Sequence, residues 1–329
     1  MSSNATGSGG SWGLRAGSIA RVVIGVGLTS WVLCVPGMLD AWDDEIHGPL
    51  ALRNQSPIQT LFFQFVPERA VPLDHKQVLL RLDISETNTL TEDTGRDGLN
   101  GRLDLEMTYA NFQARVGLAE DWEAGMDVPI IFMHGEFMDG FIDWFERLVN
   151  LERDIRAEER KQNMRNELTY DVSRNGERIL KGDKNRVGLG DVALQLKWAP
   201  PALHEAAATP AVALRFAFKL PSGDARAGFG SGGPDIGFGL ALEKTLNRWS
   251  LYSNLNVTVP IDDDFGDLDV RPIFSGMLGF EYRFNPSLAL IGQLSASSPA
   301  FRDTDLDFFD GWTDWPALGL SWAPSPAWR

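Results

Sequence analysis

The sequence predicts an all-β protein, an antiparallel transmembrane β-barrel of about 12 strands with one amphipathic helical insertion. Three observations predict it. Segments of about 9–11 residues alternate apolar and polar side chains, which is the length a tilted strand needs to cross a bilayer. Strands of a soluble sandwich alternate too, but they run to about 5–6 residues. Gly, Pro, Asn and Asp turns separate the segments. Past residue 42 no apolar run approaches the roughly 18 residues of a spanning helix. A membrane chain without such a helix must cross as a closed barrel, because only there does every backbone group find a partner.

The chain opens on a targeting pattern. Residues 1–18 are polar and Gly/Ser-rich with Arg15; Arg21 then precedes an apolar stretch over 22–39, and Asp40, Asp43, Asp44 and Glu45 end it. Residues 1–41 therefore read as a cleaved signal peptide, 42–76 as an N-terminal segment leading into the barrel, and 77–329 as the barrel. Two other readings of 22–39 stay open. An inner-membrane anchor is disfavoured by Pro36 and the glycines, and lipidation at Cys34 by the bulky Trp31-Val32-Leu33 before it. Cys34 is the one cysteine, so removal of the leader leaves no thiol for a disulfide or a thiolate metal site.

Charge argues against two kinds of partner. Lys+Arg 30 against Asp+Glu 45 gives a formal net charge of -15, which argues against nucleic acid and against a basic hold on anionic lipid.

The strands follow in order. In 102–110, Leu103, Leu105, Met107 and Tyr109 alternate with Arg102, Asp104, Glu106 and Thr108. The same alternation marks 191–198, 212–220, 250–259 and 274–284, and further strands are expected near 77–86, 112–118, 121–131, 168–174, 187–199, 233–246, 287–298 and 313–323. Short turns at 118–121, 246–248 and 285–287 make neighbours antiparallel hairpins. From 137 to 168 the spacing turns helical, with Phe141, Phe145, Leu148, Leu151 and Ile155 three or four apart. This amphipathic helix is expected in a loop, either packed on the rim or acting as a lid or docking element.

Several phrases together carry a resemblance. They are Gly48-Pro49-Leu50 with Arg53-Asn54-Gln55-Ser56-Pro57 and Pro67-Glu68; Trp122-Glu123-Ala124-Gly125-Met126-Asp127-Val128-Pro129; Met138-Asp139-Gly140-Phe141-Ile142; Gly188-Leu189-Gly190-Asp191-Val192; and Lys219-Leu220-Pro221-Ser222-Gly223-Asp224. In this order over 48–300 they resemble the DUF3187 family of Gram-negative outer-membrane proteins. The last two phrases are also similar to outer-membrane barrels named for phenol-degradation gene clusters. The resemblance implies an outer-membrane barrel and no established activity. Its partners would be outer-membrane lipid and the barrel-assembly machinery. Two features depart from the family pattern. Glu146-Arg147 stands where the family often has a His, and the chain stops at Pro326-Ala327-Trp328-Arg329, so a final strand ending in an aromatic residue is expected to be missing.

No catalytic set emerges, so the chain reads as no enzyme, with no cofactor and no metal. His47, His75, His134 and His204 show no helical metal spacing; His134 is the best placed for a role, near a strand end. The loop over 228–233 lacks the Lys of a phosphate cradle, and Asp262, Asp263 and Asp264 read as an acidic loop or a weak divalent site. The remaining constellation is the polar face of the strands. If apolar rows face lipid, the lumen is lined by Arg81, Asp104, Glu106, Arg115, Asp191, Lys197, Arg215, Lys219, Glu243, Asn254, Glu281 and Arg283, with Asp83, Arg102, Glu123 and Asp127 on the same face. Interleaved signs suit either a lumen bridged by ion pairs or a narrow polar passage for small solutes. The expected function is a narrow outer-membrane channel. An outer-membrane enzyme and a docking scaffold using the rim and the 137–168 helix are the alternatives.

Overall fold

The computed structural model describes residues 25–34, 46–135 and 168–323. Its strands are β1 (Gly25–Cys34), β2 (Val78–Thr94), β3 (Leu99–Ala119), β4 (Trp122–His134), β5 (Thr169–Arg174), β6 (Glu177–Gly182), β7 (Arg186–Leu189), β8 (Ala193–Trp198), β9 (Ala211–Lys219), β10 (Asp235–Leu246), β11 (Trp249–Pro260), β12 (Asp264–Phe265), β13 (Leu268–Asp269), β14 (Ile273–Asn285), β15 (Leu288–Ser297) and β16 (Thr313–Trp322). All pairs are antiparallel, and the main sheet runs β1-β2-β3-β4-β8-β9-β10-β11-β14-β15-β16. β7 and β8 both pair with β4 and continue one another across a break at 190–192. β5 and β6 form a hairpin on the far half of β3, turning at Asn175 and Gly176. Both turn residues have positive φ (50° and 85°), as the tight turn of a twisted hairpin requires.

The main path holds eleven strands, and no pair joins β16 to β1 among the described residues. Two differences from the expected twelve have clear origins. The segments expected as separate strands over 102–110 and 112–118 are one strand of 21 residues, β3. β1 lies in the stretch read as the apolar core of the leader and pairs with β2, Gly25 opposite Thr87 and Cys34 opposite Leu79. The helix expected over 137–168 falls outside the described residues except for Leu168, which packs on an apolar cluster.

The two ends of the sheet differ. At one end three connections are tight, at 120–121, 247–248 and 286–287, and one is longer, at 199–210. At the other end three are long, at 220–234, 261–272 and 298–312, and one is short, at 95–98.

The two faces differ more. Phe216, Phe238, Leu255, Leu278, Leu294, Leu318 and Leu320 lie outward and exposed, from 42% to 74%. On the inward face Arg215 is 4% exposed, Lys219 2%, Glu243 1%, and Asn254 and Glu281 0%. A water-soluble sheet puts its apolar rows in and its charges out, so this arrangement is inverted. The short-turn end carries a belt of rings on the outer face, with Trp122 stacked on Trp198 at 5.4 Å and Trp249 against Tyr282 at 4.7 Å.

The segment before β2 fills the inside. From His47, near the short turn at Pro286, it rises past Gln293 to the long-loop end, where Ile58, Leu61 and Phe62 are buried. It then descends past Asp235, Arg215 and Glu243 to Gly117, where the backbone of Lys76 bonds, and β2 begins. The sheet is thus curled around an ascending and a descending arm of its own chain. At the long-loop end an apolar cluster closes over the top, with Phe62 edge-on to Phe301 at 5.6 Å and Leu103, Leu105 and Met107 of β3 beneath.

Candidate functional site

An irregular backbone inside a sheet needs partners for its N–H groups, since neither neighbouring strand supplies them. Wall side chains do so here. Glu281 accepts from His47 N–H (3.1 Å) and Gly48 N–H (2.9 Å), Gln293 from Leu50 (3.0 Å), Asp235 from Phe63 (2.7 Å), Glu243 from Ala70 (3.1 Å) and Glu123 from Leu73 (2.9 Å). Asn254 makes a two-way bond with the backbone of Glu68: its Oδ1 accepts from Glu68 N–H at 3.0 Å and its Nδ2 donates to the Glu68 carbonyl at 3.1 Å.

Charge holds the descending arm. The Glu68 carboxylate takes Arg115 at 2.8 Å, Lys197 at 3.1 Å and Arg215 at 3.5 Å. Arg115 also binds Asp127 (2.6 Å) and Lys197 also binds Glu123 (3.0 Å). Burial alone would push the Glu68 carboxyl up; Lys197, Arg115 and Arg215 outweigh it and hold it well below the ordinary carboxylate range. One residue on, Arg69 pairs with Glu243 at 2.8 Å. Lys219 meets Asp191 (2.8 Å) and Asp235 (3.1 Å) and donates to the Leu61 carbonyl (3.1 Å) and to Ser231 Oγ (2.6 Å), which ties the glycine-rich loop over 228–233 to the wall.

Of the residues expected to line the lumen, Arg115, Lys197, Arg215, Lys219, Glu243, Asn254 and Glu281 therefore meet around the inner segment, and Asp191 joins them through Lys219. Arg81 lies at the β2 wall, paired with Asp83 at 2.8 Å. Arg283 sits low on the same face, bonding Ser250 and the Asn247 carbonyl. Asp104 and Glu106 are placed otherwise. β3 pairs with β2 without a register shift from residue 100 to 116, so even-numbered residues there lie on the face opposite Arg115 and Gln113. Asp104 and Glu106 are buried, but on the outer side of the sheet.

Two voids beside the inner segment, among the described residues, measure about 20 Å³ each. One is lined by Arg53, Tyr109, Asp127 and Lys219, the other by Gln64, Asn256, Ser295 and Trp315. Each has room for about one or two waters, so no open passage runs through them. Packing is equally tight at Gly237, where an added Cβ would stand 2.8 Å from Phe65 and 2.9 Å from Phe63. Gly237→Val is expected to cost about 1–3 kcal/mol by pushing on the descending arm. Faster limited proteolysis within 46–73, at unchanged strand content by circular dichroism, would register it.

What the periodicity did not single out is the inner segment and Glu68, Arg69 and Asp235. The available signals were the family phrase Pro67-Glu68 and the place of that acid just past the largely apolar stretch over 61–66.

The model of the family described as "Protein of unknown function (DUF3187)" matches residues 32–310. None of the curated proteins matches the chain. Among solved structures it is similar to the COG4313 outer membrane channel from Pseudomonas putida F1, at 14% identity and a TM-score of 0.45, covering 74% of this chain and 81% of that one. It is also similar to the P. putida toluene transporter TodX, at 12% identity and a TM-score of 0.34, covering 77% and 70%.

Proposed function

The chain belongs to the DUF3187 family of proteins of unknown function, and from its geometry we propose that it is an outer-membrane barrel whose narrow channel for small solutes is shut by residues 46–73. One observation carries this: a segment of the chain, joined to the wall by ion pairs and single hydrogen bonds, stands where a solute would pass. Most of these contacts have a charged partner and contribute about 1.5–3 kcal/mol each net, so release is costly and rare. A segment held so can leave without breaking the β ladder.

The exposed apolar outer face and the ring belt at the short-turn end favour insertion in lipid, with the short turns in the periplasm and the long loops outside. Residues 1–41 serve in this reading as the leader for export. Its removal takes β1 off the path, leaves ten strands, an even number, and frees the edge of β2 to close on β16.

Planar-bilayer recording tests the proposal. The mature chain is expected to be mostly silent with brief openings. A chain lacking 46–73 is expected to conduct steadily, its folding checked by heat-modifiable migration and outer-membrane fractionation. A folded, shortened barrel that stays silent would remove the channel.

A further inference from the structure

We infer that the void between the inner segment and the β11, β14, β15 and β16 wall is a subsite for a small monocarboxylate, centred on Arg53. That its ligand is the transported solute rests on the channel reading above; the binding itself does not. Arg53 lies on the ascending arm and lines both voids. Its guanidinium stacks on Tyr109, with Cζ 4.3 Å from the ring centroid, which uses the face of the group and leaves its edge. On that edge Nε and Nη2 are buried and donate to nothing. Arg69, Arg115, Lys197, Arg215 and Lys219 each hold a carboxylate on the inside of the sheet. Arg53 holds none among the described residues. A buried charge without a partner is costly, so the position calls for an anion.

The surroundings choose between the two voids. The first is also lined by Asp127 and Asp191, whose oxygens are taken: Arg115 and Gln195 bind Asp127 at 2.6 Å each, and Gly223 N–H and Lys219 bind Asp191 at 2.8 Å each. A further anion there would face both acids. Among the described residues that line the second void there is no carboxylate. Two more donors reach it without partners: the Ser295 hydroxyl, on a residue 3% exposed, and the Trp315 indole N–H, directly opposite it in the β15–β16 register. Asn256 turns its amide toward the same side, Nδ2 donating to Ser275 Oγ at 3.4 Å while Oδ1 lies over Gly239. Nε and Nη2 of one arginine form the fork that a carboxylate meets with both oxygens. A void of about 20 Å³ has room for two such oxygens and not for the four of sulfate or phosphate. Phe65, Pro67 and Met277 complete the lining and offer nothing to a second charge.

Full-length protein in detergent is to be titrated with sodium formate, and separately with sodium sulfate, by calorimetry at constant ionic strength. One equivalent of formate is expected to bind and sulfate is not. Arg53→Met, which keeps the stem and removes the fork, should weaken formate about 10–100-fold, and Trp315→Phe about tenfold. Arg302→Ala, on an exposed residue outside the void, should leave it unchanged. Formate binding no tighter than in Arg53→Met overturns the subsite, as does binding unmoved by Trp315→Phe, lost with Arg302 or matched by sulfate. Should Arg53→Met not fold, the Trp315, Arg302 and sulfate arms decide alone. Calorimetry reads the subsite with the segment seated and bilayer recording reads the channel, so the failure of one is distinct from the failure of the other.

Discussion

Glu68→Gln is expected to lower the unfolding free energy by about 3–5 kcal/mol and to release the inner segment, because it removes one partner from a buried charge cluster and leaves cations uncompensated. The lower end of that range is expected. Arg115 keeps Asp127 and Lys197 keeps Glu123, while Arg215 is left with the Asn254 Oδ1 and the Val66 carbonyl, neither of them charged. Urea titration in detergent measures the loss, and limited proteolysis between 46 and 73 locates it. Adding Arg215→Met to Glu68→Gln should recover part of the loss, since it removes the stranded charge; the double-mutant cycle reads the coupling directly. Acid provides a second arm. The Glu68 carboxyl is held below its unfolded value of about 4.3, so its contribution is complete above that pH and is lost as pH falls through the lower folded value. The wild type should hold its inner segment at pH 5 and surrender it only in stronger acid. The Glu68→Gln variant should lack that acid step; an identical acid step in both proteins would remove Glu68 as the anchor.

The strands and most of the inward row were legible because a single rule, apolar out and polar in, holds along most of the strands. Arg215 and Lys219 on β9, Glu243 on β10 and Glu281 on β14 obey it. β3 shows where the rule ends. In its half near the short turn, Gln113 and Arg115 point in and Phe112 and Leu118 point out. In its far half the parity is unbroken, but Leu103, Leu105 and Met107 now point in, because there the inside is filled by the apolar cluster around Phe62 and Phe301 rather than by polar partners. Asp104 and Glu106 consequently turn outward, and a row read by polarity alone goes to the wrong side. The sequence pattern also breaks at that inversion, which is why one strand reads as two. The inner segment was illegible for a different reason. It has no periodicity, and Glu68 meets its partners only after the chain has laid down β3, β8 and β9, with Arg215 147 positions later along the sequence.

Leu255→Arg is expected to cost about 2–4 kcal/mol in a lipid bilayer, against roughly 0–1 kcal/mol for Trp249→Arg on the same strand and face. Leu255 is 54% exposed at the middle of β11, opposite Leu240 on one side and Gly276 on the other. Trp249 is 46% exposed at the short-turn end, within the ring belt. By exposure alone the two sites are equivalent, and on a water-soluble surface either substitution would fall within about ±0.5 kcal/mol. The difference between them arises only if Leu255 meets hydrocarbon and Trp249 meets the interface, where the long Arg side chain can reach water. Guanidinium titration in liposomes, with both variants at equal lipid ratio, gives that difference free of any error common to the two. Equal and small costs would place the outer face in water, and the buried charges around Glu68 would then describe a soluble protein turned inside out, which no balance of burial and solvation supports. A steep dependence on position along β11 instead fixes the hydrocarbon slab across the middle of the strands.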